Sequence, residues 1–141
     1  MTKIKEVNKI LKAGEPNNIT VDTYSGYTGY KPQSVVDAMN EVFGIDGWGF
    51  LEIETHTVKG AITTKRGKND LAVSKIEAWI GDVKRQAWGQ NQVTKGEYGH
   101  AKKSAQTDAL KKALSYFSIG SRAYHGELKV ESNSKNTEME Y

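Results

Sequence analysis

Four lysines, Lys102, Lys103, Lys111 and Lys112, crowd into the stretch from Tyr98 to Phe117, which holds one acid, Asp108. Ammonium groups at that density suit a polyanion, because each can approach a phosphate and release a condensed counterion. The adjacent pair is informative if the stretch is helical. At 100° per residue Lys111 projects opposite a row of alanines while Lys112 lies on its flank, so the two can reach different phosphates of one backbone. A solvated helical face would carry the same lysines without any ligand. A second basic group, Lys59, Lys65, Arg66 and Lys68, reads as an arm on a strand tip or as a hairpin tip kept soluble by charge. Lys84 and Arg85 are strand neighbours and point to opposite faces; one of them, taken as Arg85, can face a given groove. Tyr24, Tyr27 and Tyr30 recur every third residue, beside Lys31. Aromatic faces near cations are what single-stranded nucleic acid uses, since every base can stack. Packing under a loop would use the same three rings.

Catalytic chemistry is poorly supplied. His56, His100 and His125 fall on a strand, a helix start and a terminal loop, without the i, i+4 spacing that sets two metal ligands on one helical face. Neither a Gly-x-Ser-x-Gly elbow nor a phosphate loop is present, and Gly26-Tyr27-Thr28-Gly29 has the wrong spacing for a dinucleotide fingerprint. Glu52 and Glu54, as i and i+2 on a strand, are expected to share a face, with Lys75 nearby. That is the most that can be assembled towards a metal-dependent nuclease. No catalytic residue, metal ligand or cofactor is assigned, and the chain is not read as an enzyme.

The elements that must position these residues follow from periodicity. Ile4, Val7, Ile10 and Leu11 predict a helix over 2–13, stopped by Gly14 and Pro16. Asn17 to Tyr30 is rich in turn formers and predicts a loop or a short irregular strand pair. Pro32 suits a first helical position, Val35, Val36, Met39, Val42 and Phe43 make one apolar face, and Gly44 sits where a left-handed cap belongs. From Trp48 the period changes to two. Strands are predicted around residues 51–57, 71–80 and 83–90, with Lys59 to Asp70 as a linker and Gly81-Asp82 as a turn, which makes an antiparallel meander. Trp48, Trp79 and Trp88 are expected in or at the edge of the core. A last helix over 98–117 carries Ala101, Ala105, Ala109 and Ala113, small residues that let it lie close on a sheet. The fold class is α+β: a three-stranded meander packed by a long basic C-terminal helix and a shorter preceding one.

Composition sets the bounds. With 141 residues, 37% of them hydrophobic, the chain suits one domain with a lean core, expected over 1–126, and a disordered, mildly acidic tail over 127–141. Lys plus Arg is 20 and Asp plus Glu is 17; residues 127–141 hold two of the lysines and four of the glutamates, so residues 1–126 carry 18 basic against 13 acidic groups, and a basic body leans weakly towards a polyanionic partner. The longest apolar run is far short of the ~18–20 residues of a membrane-spanning helix. The start, Met1 to Glu6, lacks the apolar stretch of a secretory signal. Absence of cysteine fits a reducing compartment, so a cytoplasmic location is expected, with no membrane partner.

Two motifs take the reading further. Asn40-Glu41-x-Phe43-Gly44-x-Asp46-Gly47-Trp48 lies at the end of the second helix. Lys103-x-Ala105-x-Thr107-Asp108-x-Leu110-Lys111-Lys112-Ala113-Leu114-x-x-Phe117 lies in the last one. In this order and separation they resemble the annealing domain of the Rad-fifty-two family of recombination mediators, over about residues 17–126. The resemblance implies a protein that binds single-stranded DNA and anneals complementary strands in homologous recombination and repair, without ATP. It also implies a homo-oligomeric ring with the DNA backbone in an outer groove. The family's basic pair falls on Lys111 and Lys112, with Lys103 and then Lys102 as further contacts; Lys65, Arg66, Arg85, Tyr27, Tyr30 and Lys31 complete the candidate set. Groove cations that precede the first motif in larger members have no clear match here. The chain also lacks the long extension by which eukaryotic members recruit a recombinase and a single-strand-binding protein, which points to a phage-type annealing domain; such partners remain candidates. The competing expectation is a double-stranded-RNA-binding module, which shares an α-β-β-β-α order and a lysine-rich last helix.

Overall fold

The protein is described by a computed structural model that covers residues 2–21 and 28–128. The described residues fall into two compact units, one drawn from 2–21, 28–42 and 118–128, the other from 43–117.

The second unit holds the meander. Strands β3 (Trp48–Thr64), β4 (Gly67–Ile80) and β5 (Val83–Gln92) form one antiparallel sheet in the order β3-β4-β5. The alternation in β4 is strict: Ala72, Ser74, Ile76 and Ala78 are buried while the residues between them are half-buried. That inner face lies under helix α3 (Tyr98–Ser115), whose Ala101, Ala105, Ala109 and Ala113 are buried as the four-residue period requires. The shorter helix predicted to share this packing belongs, up to Val42, to the other unit.

Two expectations change in the sheet. The predicted linker, Lys59 to Asp70, is instead strand: β3 and β4 run on to a tight turn at Lys65-Arg66, with Thr64 paired to Gly67 and Ile62 to Asn69. β-Branched Ile62, Thr63 and Thr64 favour extended backbone there, and the irregularity between Val58 and Ile62 absorbs Gly60, at φ +63°. Glu52 and Glu54 do not share a face. A bulge between them pairs Glu52 with Ile76 and Glu54 with Lys75, neighbouring residues that project oppositely.

The first unit contains α1 (Thr2–Ala13), the short pair β1 (Ile19–Val21) and β2 (Thr28–Tyr30), most of α2 (Pro32–Phe43) and α4 (Ser121–Tyr124). α1 buries Val7 and Leu11, and α2 buries Val35, Ala38 and Met39, the faces their periodicity predicts. Gly44 follows α2 at φ +75°, the left-handed cap. Side chains tie the two stretches of this unit together. The Asn8 amide donates to the Ser118 carbonyl at 2.8 Å and its oxygen accepts from the Gly120 N–H at 2.8 Å. Glu15 accepts from both Arg122 Nε and Nη2 at 2.9 Å and from the Tyr30 hydroxyl at 2.6 Å.

The Arg122 hydrogen bonds hold the Glu15 carboxyl below its ordinary range against the opposing effect of burial, and the Tyr30 hydroxyl lowers it further. A depressed carboxylate contributes stability above its unfolded-state pKa and loses it as pH falls through the folded one. We therefore expect Glu15→Gln to cost about 2 kcal/mol at neutral pH and little in acid, because three charge-assisted bonds weaken together. Thermal unfolding of both proteins from neutral pH down to pH 3 checks this; parallel curves would show that the cluster does not couple to protons. Residues 129–141, most of the tail predicted over 127–141, lie outside the described residues.

Candidate nucleic-acid interface

Helix α3 is the element that carries the cations, and its seat on the sheet fixes where they point. Gly89 on β5 makes the close approach possible: a Cβ there would stand 2.2 Å from the Ala109 nitrogen and 2.3 Å from the Ala105 oxygen. Asp108 adds a polar tie. Its Oδ2 accepts the backbone N–H of Gln90 at 3.0 Å, satisfying a donor on the free edge of β5. The same oxygen lies 3.1 Å from Lys112 Nζ, an i, i+4 pair at the surface. Lys112 is therefore aimed by its neighbour one turn back. Lys111 is half-buried, and Lys102 and Lys103 are exposed. Lys103 and Lys111 are separated by about 12 Å along the axis, from eight residues of α-helical rise.

The other sequence-predicted residues of this unit are placed as follows. Arg85 is exposed, its guanidinium 5.5 Å from the centre of the Phe117 ring and its Nη1 donating to the Lys84 carbonyl at 2.8 Å. Lys65 and Arg66 form the exposed tip of the β3–β4 hairpin. The acid cluster has been put to structural use. Glu52 accepts from Gln106 Nε2 of α3 at 3.0 Å and from Thr55, whose hydroxyl meets the fully buried Ser74 at 2.8 Å. The bulge turns Glu52 towards the helix and leaves Glu54 beside Lys75 on the far face. Among the described residues, no group of three or more His, Asp and Glu side chains is placed to hold a metal ion.

In the first unit, Lys31 is exposed just ahead of α2. Tyr30 is 3% exposed, with its hydroxyl held by Glu15, so its ring is part of the packing and offers no face to a base. Burial and the neighbouring carboxylate push its phenol well above the ordinary tyrosine range. Tyr24 and Tyr27 lie outside the described residues. Of the tryptophans, Trp48 is buried and Trp79 is half-buried against Gly49, as expected for core and core edge. Trp88 is not in the core: it is 46% exposed on the sheet face away from α3, between Lys75 and His56. Period-two parity with the buried Ala87 and Gly89 was the signal available for that placement.

Both motifs thus sit on elements of the expected type, and the chain matches the family of Rad52/22 double-strand break repair proteins over residues 27–141. The chain belongs to the Rad52/22 family. No curated protein shows significant similarity to it. The Rad52/22 match takes in α2, the whole meander and α3, so the surface that carries the lysines lies within the family region. Membership places the protein in DNA repair and recombination. No helix among the described residues is long and apolar enough to cross a membrane.

The Asp108–Lys112 contact makes a prediction for this Rad52/22 protein. Asp108→Asn keeps an oxygen for the Gln90 N–H and removes the charge that engages Lys112. An exposed pair of this kind is worth only about 0.3–0.5 kcal/mol, so stability should barely change. On the expectation that the α3 lysines face a phosphate backbone, affinity for single-stranded DNA should rise about two- to four-fold at low salt, because the competing carboxylate is gone. A fluorescence titration at two salt concentrations measures it; weaker binding by the variant would show that the carboxylate organises the site rather than opposing the ligand.

Proposed function

We propose that the protein binds single-stranded DNA along the exposed face of α3 and anneals complementary strands without nucleotide hydrolysis. The observation that carries this reading is the division of α3 into two faces. Its alanine face is buried on the sheet, and its outward residues include Lys102, Lys103, Lys111 and Lys112 against Asp108 alone. Family membership supplies the DNA; the cations supply a means of holding its backbone. Contacts of this type fix no sequence, so bases stay free to test a second strand by pairing. Neutralising phosphates on both strands offsets their repulsion and should make the activity steeply salt-dependent. Arg85, Lys31 and the tip residues Lys65 and Arg66 are secondary contacts in this reading, and Tyr27 is a candidate stacking residue. Tyr30 takes the role of positioning β2 through Glu15. A homo-oligomeric ring would extend one strand over many copies, and a recombinase or single-strand-binding protein would hand that strand on.

The test is an annealing assay with two complementary fluorescent oligonucleotides and no added nucleotide or metal. Fast, salt-sensitive annealing at near-stoichiometric protein is expected, with light scattering of the protein–DNA complex giving the number of subunits. Binding without annealing would make the protein a protective binder. Preference for duplex RNA in the same titration would overturn the assignment.

A further inference from the structure

Helix α3 begins with little support of its own. The chain enters it through Lys95 and Gly96, both in the left-handed region, at φ 54° and 70°, where a lysine is strained. Glu97 stands at the cap position without a side-chain bond to the helix, and the first turn contains no acid and includes Gly99. A missing cap and an early glycine both favour fraying. Lys102 and Lys103 follow one turn later, exposed, and no carboxylate among the described residues pairs with either. Lys112, near the other end, has Asp108 to aim it. The direction of the first two lysines depends on how the start of the helix is held.

Asp70 supplies what the helix start lacks. Its Oδ2 accepts the Tyr98 hydroxyl at 2.7 Å and its Oδ1 the Gly60 N–H at 2.9 Å. Its carbonyl accepts the Val93 N–H at 2.9 Å, where the chain leaves β5 for α3. One residue of β4 thus ties β3, the end of β5 and the first residue of α3. The anchor is itself fixed, because the next residue, Leu71, pairs with Val58 on one side and Gln92 on the other. The Tyr98 hydroxyl, and after it the Gly60 N–H, hold the Asp70 carboxyl below its ordinary range. At neutral pH both bonds therefore go to a carboxylate and are of the stronger, charge-assisted kind.

We propose that Asp70 and Tyr98 are positioning residues for the single-strand-binding face: their bond holds the first turns of α3 and thereby sets the direction of Lys102 and Lys103. The assignment rests on the proposed reading of α3 as the surface that meets DNA. Neither residue contacts the ligand in it. Their contribution is that less freedom remains to be lost when the two lysines meet the backbone of the strand.

The experiment compares wild type with Tyr98→Phe, Asp70→Ala and Asp70→Asn by fluorescence anisotropy of a labelled single strand over a range of salt, with hydrogen exchange along α3. Tyr98→Phe keeps the ring and every charge, so neither lost stacking nor lost charge can account for its effect. Its affinity at low salt should fall about three- to five-fold. The slope of log affinity against log salt should shrink by up to about 1.4, from two phosphates at ~0.7 each, a readout that a purely structural role would not move. Exchange in the first turns of α3 should quicken about three- to ten-fold. Asp70→Ala removes a negative charge, which by itself would tighten binding; loss of the tie should instead weaken it about three- to five-fold. Asp70→Asn retains an oxygen for the Gly60 N–H and an amide that can donate to the Tyr98 oxygen, so it should bind within about two-fold of wild type. Unchanged affinity and slope in Tyr98→Phe, or tighter binding by Asp70→Ala, overturns the proposal. A loss in Asp70→Asn as large as in Asp70→Ala also overturns it, since the charge and not the tie would then matter. If wild type does not bind single strands, the proposed function fails; exchange in Tyr98→Phe still decides whether the bond orders the start of α3, and an unchanged rate overturns that as well.

Discussion

Replacing both Lys111 and Lys112 with alanine should abolish annealing and leave the fold intact. Lys112 lies at the surface, steered by Asp108 at 3.1 Å, and Lys111 is half-buried one residue back. Neighbouring helical residues diverge by 100°, so the pair can engage successive phosphates that no single lysine reaches. Each lost contact should reduce the slope of log affinity against log salt by ~0.7 for a single strand, about 1.4 for the pair. We expect single-strand affinity at low salt to fall by about ten-fold or more, uniformly across sequences, because backbone contacts carry no sequence information. Far-UV circular dichroism and thermal unfolding establish that the fold survives. A Lys111→Gln/Lys112→Gln pair, which keeps most of each stem, separates lost charge from lost packing. Annealing at the wild-type rate by a folded double variant would place the DNA path on another surface.

How far the sequence revealed this arrangement depended on which residues needed a distant partner. α1, α2 and α3 each declare themselves by apolar or alanine spacing, and Gly44 marks its helix end, because those signals are local. The meander was legible for the same reason, through its period-two alternation. What failed was decided by one inserted residue or by contacts far apart in the chain. The bulge near Ile53 splits Glu52 from Glu54, and parity along a strand carries no mark of an extra residue. The segment from Lys59 to Asp70 reads as a linker because glycine and charge dominate it, yet pairing across the hairpin extends it into an arm. Tyr30 shares its period with Tyr24 and Tyr27, but Glu15 and Arg122, 15 residues before it and 92 after it in the sequence, make it structural. On α3 the lysines could be placed on a face from sequence alone; the ion pair that aims Lys112 follows from i, i+4 spacing, whereas the tie from Asp108 to Gln90 does not.

The residue on which that helical face most depends is itself uncharged. Gly89→Ala should destabilise the second unit more than any lysine substitution on α3. Gly89 has no positive φ among the glycines of this chain, so the cost is not backbone conformation but space. The new methyl would sit 2.2 Å from the Ala109 nitrogen, 2.3 Å from the Ala105 oxygen and 2.8 Å from the Ala109 Cα, all backbone atoms of a regular helix. No side-chain rotation relieves such contacts; α3 has to lift or β5 has to bend. Lifting would open the buried contacts among Ala72, Val93, Ala101 and Ala105 and would stretch the bond from Gln90 to Asp108. Overpacking of this kind costs about 1–3 kcal/mol or more, and at this chain length the melting temperature should fall by up to about 10 °C. Gly89→Val should prevent folding of the unit. Because the lysines ride on the helix that moves, Gly89→Ala should also weaken single-strand binding although it removes no charge. A Gly89→Ala protein with the wild-type melting temperature would mean that α3 does not depend on this close approach, and the alanine face would lose its explanation.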